Sequence, residues 1–436
     1  MRARPGRHLR LESASVDRGD AAALYRGWLD ARERGHGLPG PLYTAPEAFV
    51  LDLEAVFRRQ WFYAATVCDV REPGDFYVVN VGTDSIVIVR EEDGGVQAFH
   101  NVCRHRGSRI CNEVRGGVAN IVCPYHQWTY GLDGRLLHAP SMGASFDPSP
   151  YRLAPVQCRV IGGLIFLCLS DEPPASIERA TQDLMPYLAT YRLDKLKIAA
   201  EVEIVANANW KLIMENNREC YHCDANHPEL LVALHAYGFG YGLPENEGAA
   251  APQDAEFAAL IEKRRAAWAA AGLPHDLIEF PDGLWYRTTR LPLVGDASSM
   301  TMDGRPACSK LLHAFASPDT SDLSLWTHPN SWHHFMSDHA MTFRVIPLSA
   351  TQSRVTTKWL VHEDAVEGVD YDVANLTRVW DATNRQDKQL AEWAQAGVAS
   401  SAFVPGPLSP ETEDMVVNFI DWYVKVAREG LAVDGH

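Results

Sequence analysis

The chain has 436 residues, of which 46% are hydrophobic and 22% charged, so it can bury a large core and two domains are expected. Its formal net charge of −16 argues against a nucleic-acid partner, whose phosphates would be repelled. Residues 1 to 17 are basic but lack the apolar segment of a secretory signal. No apolar run approaches the ~18 residues that a membrane span needs, so we expect a cytoplasmic protein without membrane contact.

The first part of the chain predicts an arm followed by an all-β domain. Residues 1 to 45 are polar and carry a helical stretch, DAAALYRGWLDARER. Residues 46 to 170 contain short β-rich runs, with hairpin turns predicted at Asp93-Gly94 and Asp133-Gly134. The run VIGGLIFLCLS, residues 160 to 170, predicts one buried strand.

Residues 171 to 436 mix helical and strand patterns and predict an α+β domain. KIAAEVEIVAN reads as a strand and NANWKLIMENNRECYHCDANH as one long helix, while the Ala-rich residues 252 to 278 predict a helical surface insertion. HAMTFRVIPLSATQSRVTTKWLVHE predicts two long strands joined by a turn. A late helix is expected to stop at Gly397.

Two pairs of metal-ligating residues lie within the β-rich part. They are Cys103-x-His105 and Cys123-x2-His126, and 17 residues (106 to 122) separate His105 from Cys123. Structural zinc uses the same residue types, but zinc fingers usually pair Cys with Cys and His with His. Pairs that mix one of each suit a [2Fe–2S] cluster with both cysteines on one iron and both histidines on the other. The remaining nearby cysteine, Cys111, is expected to be an ordinary buried thiol.

A second group of candidate ligands lies in the α+β part. Glu219 and His222 are spaced for one helical face, and His227 lies about 140° beyond His222 on an ideal helix, so the helix should distort or end between the two histidines. Asp387 sits in a mostly apolar stripe of the late helix, where an unpaired carboxylate is costly. Two histidines and one carboxylate form a facial triad for Fe(II) with open positions for O2. Asp381 is the alternative carboxylate, and a buried Asp387 satisfied by a cap or an arginine is the structural alternative.

Two further groups of residues in this part match the sequence patterns of functional sites. Cys220-x2-Cys223 matches a redox or zinc motif, but it interleaves with the proposed iron ligands, so we interpret it as packing around them. His333 and His334 could be ligands, but with the triad already filled we expect them to be strand or pocket residues.

The run C-x-H-x17-C-P-Y-H-Q-W resembles the Rieske motif, and its combination with Glu-x2-His-x4-His and a late Asp resembles the oxygenase component of Rieske non-haem iron oxygenases. The resemblance implies a Rieske β domain joined to a helix-grip (START-like) catalytic domain with an antiparallel sheet. It implies that Cys103, His105, Cys123 and His126 bind the cluster and that His222, His227 and Asp387 bind the iron. In this family the subunits form head-to-tail homotrimers, so Glu219 would bridge to a cluster histidine of the neighbouring subunit, expected to be His126.

A glutamate at position 219, where most aromatic-ring members have Asp, resembles the quaternary-ammonium branch, as do TMDGRPAC, FRVIPL and PGPLSPETE. The closest likeness is to glycine betaine monooxygenases and stachydrine demethylases. It implies O2-dependent N-demethylation of a small cation that releases formaldehyde, with electrons from NAD(P)H delivered by a separate flavin/iron–sulfur reductase. Aromatic faces bind such cations by ~0.5–2 kcal/mol per ring. Candidates for this cage are Tyr237, Trp285, Trp326, Trp332 and Phe335. The alternatives are hydroxylation or dihydroxylation of an aromatic substrate at the same iron, and a non-enzymatic electron carrier.

Overall fold

The computed structural model describes residues 18–236, 252–280 and 285–433. The helices in these ranges are α1 Arg18–Asp30, α2 Pro41–Thr44, α3 Pro46–Asp52, α4 Ser176–Leu188, α5 Trp210–Asn217, α6 Cys223–Asn226, α7 Pro252–Ala270, α8 Val373–Val398 and α9 Asp414–Val433. The strands are β1 Phe62–Thr66, β2 Asp75–Val81, β3 Asp84–Arg90, β4 Val96–His100, β5 Arg115–Gly117, β6 Ile121–Val122, β7 Thr129–Tyr130, β8 Leu136–His138, β9 Gln157–Ile161, β10 Leu164–Cys168, β11 Leu196–Ala206, β12 Tyr286–Leu291, β13 Asp322–Thr327, β14 Ser331–Phe335, β15 Ala340–Ser349 and β16 Gln352–His362.

Three small antiparallel sheets form the N-terminal β part, in the orders β4-β3-β2-β5, β1-β10-β9 and β6-β7-β8. The hairpin turns predicted at Asp93-Gly94 and Asp133-Gly134 are both present, between β3 and β4 and between β7 and β8. Gly134 has a φ of 79°, and a Cβ there would lie 2.5 Å from Cε1 of Phe99, so no other residue fits this turn.

The single strand predicted for residues 160 to 170 is wrong. The segment forms the end of β9, a tight turn and then β10, which pair as a hairpin. Gly162 and Gly163 have φ values of 56° and 94°, a backbone conformation that only glycine adopts readily, and they reverse the chain. The apolar run continued through this turn because Ile161 at the end of β9 and the whole of β10 are buried in the same core.

One antiparallel sheet of six strands, in the order β11-β16-β15-β14-β13-β12, forms the centre of the C-terminal part. The two long strands predicted after residue 339 are β15 and β16, and the predicted late helix is α8, which ends one residue beyond Gly397. One face of the sheet is covered by α8, where Trp380 contacts Phe343 with ring centres 4.7 Å apart. The other face is turned towards the β part, where Arg344 donates a hydrogen bond to the hydroxyl of Tyr77. The α+β fold class is confirmed.

The long helix predicted for NANWKLIMENNRECYHCDANH is also wrong. Asn209 caps α5 by accepting a hydrogen bond from the backbone N–H of Lys211, and α5 ends at Asn217. A turn that contains Glu219 follows, and then the short helix α6. Since α6 begins directly after His222 and ends directly before His227, the two histidines flank it instead of sharing the face of a longer helix.

A buried carboxylate fixes the start of α5 against both ends of the chain. Asp52 accepts hydrogen bonds from the hydroxyls of Tyr25 and Tyr423 at 2.6 and 2.7 Å, and from Nε1 of Trp210 at 3.0 Å. It also forms an ion pair with Lys211, whose side chain is fully buried. Because a buried charge must be paired, this cluster holds α1, α3, α5 and α9 in one arrangement.

The segment predicted as a surface insertion forms α7, as expected for a helix, but it is not wholly at the surface. Trp268 is buried, and its Nε1 donates a hydrogen bond to Ser321. No described helix is both long enough and apolar enough to cross a membrane.

Candidate metal centres

The three predicted iron ligands converge on one point. The Nε2 atoms of His222 and His227 lie 2.9 Å apart, and Oδ1 of Asp387 lies 3.3 Å from the first and 3.0 Å from the second. The histidines come from the two ends of α6 and the aspartate from the middle of α8. The alternative carboxylate, Asp381, instead forms an ion pair with Arg385 on the outer side of α8.

Each histidine of this triad is oriented through its other ring nitrogen. Nδ1 of His222 lies 2.5 Å from Oε1 of Glu219, and Nδ1 of His227 lies 2.8 Å from Oε1 of Gln386. The Gln386 amide in turn donates to Glu229 at 2.8 Å. Such partners fix which nitrogen of an imidazole is free to bind a metal. Neither Gln386 nor Glu229 was predicted from the sequence; the only available signal was that Gln386 is adjacent to Asp387.

The protonation of the triad reflects how closely its donor atoms approach. Burial opposes the charging of His222, yet hydrogen bonds to Asp387 and Glu219 raise the pKa of this imidazole to about 9. Burial alone would raise the pKa of Asp387, but its hydrogen bonds to the two histidines lower that pKa. Three donor atoms that share protons at these distances can equally share one cation. One carboxylate oxygen and two imidazole nitrogens match the donor set of a facial Fe(II) site.

The cysteines of the Cys220-x2-Cys223 motif are joined by a disulfide in this structure and are both buried. The sulfur of Cys223 lies within 4.8 Å of the ring nitrogens of His222 and His227, so it could be considered a fourth donor. A disulfide sulfur is a poor ligand compared with a thiolate, and Asp387 approaches the histidines more closely. The interpretation as packing around the triad therefore missed a covalent link but not a metal ligand.

The two Cys/His pairs lie at the tips of two loops that repeat the same backbone hydrogen bonds. The N–H of Gly107 donates to the carbonyl of Cys103 at 3.0 Å, and that of Gln127 donates to the carbonyl of Cys123 at 3.0 Å. Gly107 and Gln127 have positive φ values of 71° and 58°. Each cysteine N–H also donates to a carbonyl five residues later, at 2.8 Å in the first loop and 2.9 Å in the second. Two equivalent loops thus face one another, each with one cysteine.

The cysteines and histidines of these loops differ in burial. Cys103 and Cys123 are buried above an apolar core, and a Tyr130 hydroxyl lies 3.2 Å from the sulfur of Cys103. His105 and His126 are partly exposed, with their ring centres 4.6 Å apart. Among the described residues, the buried Nδ1 of His105 has no hydrogen-bond partner, which is costly unless a ligand uses it. This donor set fits a [2Fe–2S] cluster with its thiolate side inside and its imidazole side near the surface.

The remaining cysteine of this segment behaves as expected for a structural thiol. Cys111 lies in the apolar core beneath the loops, and burial raises the pKa of its thiol to about 11. His333 and His334 are buried residues of β14, where His334 contacts Asp322 at 2.8 Å and His333 contacts Ser331 at 3.1 Å. The structure brings neither histidine into the triad.

The aromatic cage candidates separate into different environments. Trp332 lines a cavity next to Asp387, together with Asn216 and Asn384. Trp326 already faces a cation of the chain, since the guanidinium of Arg287 lies 5.5 Å from its ring centre.

Trp285 and Phe335 do not line that cavity. Trp285 donates a hydrogen bond to Ser176 and packs on Phe166, and Phe335 packs on Tyr191. Tyr237 lies outside the described residues.

Comparison with protein families identifies both halves of the chain. Residues 60–158 match the Rieske [2Fe-2S] domain, and residues 193–429 match the catalytic domain of the ring-hydroxylating alpha subunit. The chain belongs to the ring-hydroxylating alpha-subunit family of Rieske oxygenases. It is therefore an oxidoreductase with a cluster domain and a catalytic oxygenase domain.

Individual relatives place this oxygenase within the family. It is 46% identical over 396 residues to a glycine betaine monooxygenase oxygenase subunit of Chromohalobacter salexigens, which covers 91% of this chain and 86% of that protein. A protein of the same description from Pseudomonas aeruginosa is 44% identical over 397 residues, covering 91% and 90%. An anthranilate 1,2-dioxygenase large subunit of Burkholderia cepacia is more distant, with 28% identity over 44% of this chain and 48% of that protein.

Solved structures of the same fold include the quaternary ammonium Rieske monooxygenase CntA with the substrate gamma-butyrobetaine. It has a TM-score of 0.65 and 20% identity, and the match covers 92% of this chain and 97% of that one. A naphthalene 1,2-dioxygenase from Rhodococcus has a TM-score of 0.60 with 19% identity, over 93% and 98% of the two chains. At these identities the structural likeness shows the shared fold.

Proposed function

We propose that this oxygenase N-demethylates glycine betaine at a mononuclear iron held by His222, His227 and Asp387. The observation that carries the proposal is the convergence of these three donor atoms within 3.3 Å, in a chain 46% identical to a glycine betaine monooxygenase subunit. When bound, the iron supplies O2 activation and the Rieske cluster supplies its electrons. The balanced reaction consumes one betaine, one O2, two electrons and two protons, and it yields dimethylglycine, formaldehyde and water.

The residues of the chain have three roles in this reaction. Glu219 and Gln386 hold the Nδ1 protons of the two histidines, so that both Nε2 atoms point into the site as neutral ligands. Asp387 would supply the single negative charge. Three protein ligands would leave the other positions of the metal open. Cys103, His105, Cys123 and His126 would bind the cluster.

The proposed substrate has a quaternary ammonium group and a carboxylate. Trp332 is a described cage candidate beside the triad, since it lines a small cavity of about 20 Å³ together with Asp387 and Lys388, and an aromatic ring there can attract an N-methyl cation. The contacts described for Trp285, Trp326 and Phe335 do not assign them to a cage.

We further propose a head-to-tail homotrimer in which Glu219 of one subunit approaches His126 of the next. Within one chain the Glu219 carboxylate already contacts His222, and 13% of its side chain is exposed. A second partner can therefore reach it only from the surface of the subunit. The neighbouring aromatics support such an interface, because Tyr221 is 68% exposed beside Glu219 and Tyr125 is 55% exposed beside His126. A flavin/iron–sulfur reductase that oxidises NAD(P)H is the proposed electron donor.

A single turnover of the reduced, iron-replete protein tests the proposal. Glycine betaine, stachydrine, carnitine, choline and a simple aromatic acid would be mixed separately with this protein and O2, and formaldehyde and product mass would be measured together. Formaldehyde with a product one methylene lighter, from glycine betaine before the other compounds, is expected. A product one or two oxygen atoms heavier, without formaldehyde, would make the protein a hydroxylase or dioxygenase and end the N-demethylation proposal.

A further inference from the structure

The central sheet of the catalytic half turns a charged face towards the Rieske half. Strand positions alternate between the two faces, and Arg344, Thr356 and Glu203 are cross-strand neighbours on the same face of β15, β16 and β11. Glu201 and Arg354 are two positions away on β11 and β16, and they share this face. The opposite face, which α8 covers, is mostly apolar at the intervening positions, with Thr357 as an exception that accepts a hydrogen bond from Asn384. A charged sheet face between two domains calls for a reason other than core packing.

A cavity of about 420 Å³ lies between this face and strand β2 of the Rieske half. Its charged lining consists of Arg115, Arg344, Arg354, Glu201 and Glu203, and its floor includes the ring of Tyr77. Ligand-binding cavities typically have volumes of ~300–1,000 Å³ and often lie at domain interfaces. This cavity is lined by strands distinct from those that carry the iron triad and the cluster loops.

The charges of the cavity do not balance. Three arginines face two glutamates, and both glutamates are already used: Glu201 forms an ion pair with Arg115, and Glu203 lies 3.9 Å from Arg354. Among the residues that the structure describes, Arg344 has no carboxylate partner. Its hydrogen bonds go to neutral groups, the hydroxyls of Tyr77 and Thr356 and the carbonyl of Ala64.

Arg344 is also unusually buried for such a group. It is 6% exposed, and its Nε has no hydrogen-bond partner in the described chain. A second cation, Lys358, lies 4.4 Å from the centre of the same Tyr77 ring, but Asp69 neutralises it. Burial opposes the charge of Arg344, yet Tyr77, Tyr63 and the carboxylate of Asp69 raise the pKa of its guanidinium. The buried Nε still has no acceptor in the described chain, and an anion in the adjacent cavity would supply one.

We propose that this interdomain cavity is a binding site for a small anion, with a carboxylate or phosphate group held by Arg344 and Arg354. Guanidinium groups recognise both chemistries through two parallel hydrogen bonds. The cavity is larger than an inorganic phosphate or a small dicarboxylate, so either anion would bind there together with solvent. The anion would join β2 of the Rieske half to β15 and β16 of the catalytic half, so it would stabilise the contact between the two domains.

Titration calorimetry and thermal unfolding of the holoenzyme test this site, at constant ionic strength set with chloride. The probes are inorganic phosphate and succinate, titrated separately. Binding of either probe with a rise in unfolding temperature supports the proposal, and the stronger probe identifies the anion class. Arg354→Gln, which removes a partly exposed cavity residue and should leave the fold intact, is expected to weaken binding about tenfold or more.

Two other variants make the test decisive. Arg159→Gln removes the same charge from the exposed surface of β9 and should leave anion binding unchanged. Arg344→Gln should abolish binding, and if it does not fold, the comparison of Arg354→Gln with Arg159→Gln still decides. The site does not exist if neither probe binds, or if binding is as strong in Arg354→Gln as in the parent protein.

Discussion

Gln386 accepts a hydrogen bond from Nδ1 of His227 at 2.8 Å, one residue before the aspartate that lies 3.0 Å from the other ring nitrogen of the same histidine. The imidazole is thus held from both sides by consecutive residues of α8. The orientation of the His227 imidazole therefore depends on the position of one turn of α8. This arrangement also leaves Nε2 as the nitrogen that is available to a metal.

Replacing Gln386 with leucine should weaken Fe(II) binding by ~10–100-fold, because the orientation of His227 would no longer be fixed. Competition with a chromogenic iron chelator measures the affinity. Gln389→Leu is the matched control, since Gln389 is an exposed residue of the same helix. Equal iron affinity in the two variants would show that Gln386 has no part in the site.

Asp387→Asn should remove the mononuclear iron while the cluster stays bound. The substitution keeps the shape of the side chain but takes away the only carboxylate of the triad. Metal analysis, with the cluster monitored by its visible absorbance, gives both contents in one sample. Asp381→Asn on the same helix loses only a surface ion pair with Arg385, and it should keep both metals and full activity.

Glu219→Ala should keep the cluster but lose coupled turnover even when excess Fe(II) fills its weakened iron site, because this carboxylate orients His222 and is the proposed bridge to the neighbouring subunit. Iron content, the spectrum of the reduced cluster and the rate of cluster reoxidation with substrate and O2 are the measurements. Asp224→Asn changes an exposed carboxylate of the same segment and should reoxidise at the parent rate. An active Glu219→Ala variant would refute the bridging role.

Cys123→Ala should abolish the cluster, and Cys111→Ala should retain it. Both cysteines are buried in the same apolar core, so the pair separates ligation from packing. The visible absorbance of the purified proteins and the electron paramagnetic resonance spectrum after reduction check the result. Loss of the cluster from both variants would mean that packing under the loops, and not ligation, determines cluster retention.

Glu215→Gln should stabilise the protein at alkaline pH. Burial raises the pKa of Glu215 from 4.5 to about 8, although hydrogen bonds from Tyr43 and the charge of Lys211 oppose this shift. The folded state therefore binds this proton more tightly than the unfolded state, and stability falls as pH rises from 4.5 through 8. Thermal unfolding at pH 5 and pH 9 should show a gain for the variant at pH 9 alone. A gain of the same size at both values would contradict the shifted pKa.

The side chains that the structure brings together were easier to predict from the sequence than the elements that hold them. The mixed pairs Cys103/His105 and Cys123/His126 indicate a metal site by their residue types and spacing. Asp387 stands out as a carboxylate in an apolar helical stripe. The break after Asn217 was not predicted, because nothing in the segment resembles a strong helix stop and only the surrounding fold ends the helix there.

Contacts between distant segments account for the other misses. Gln386 reads as an ordinary polar helix residue until His227, far away in the chain, is brought beside it. The five cage candidates were grouped by residue type, and position alone separated Trp332 from Trp285 and Phe335. Tertiary packing determines which side chains line the cavity or orient the histidines, and the local sequence pattern does not show it.

The triad is assembled from two parts of the chain that are made at very different times. His222 and His227 leave the ribosome long before Asp387, and α8 must dock on α5 before the third donor arrives. A nascent or truncated chain that ends before α8 can offer the metal only two imidazoles. Uptake of the proposed iron would therefore depend on completed folding, and metal loading in the cell would occur after synthesis of the chain and not during it.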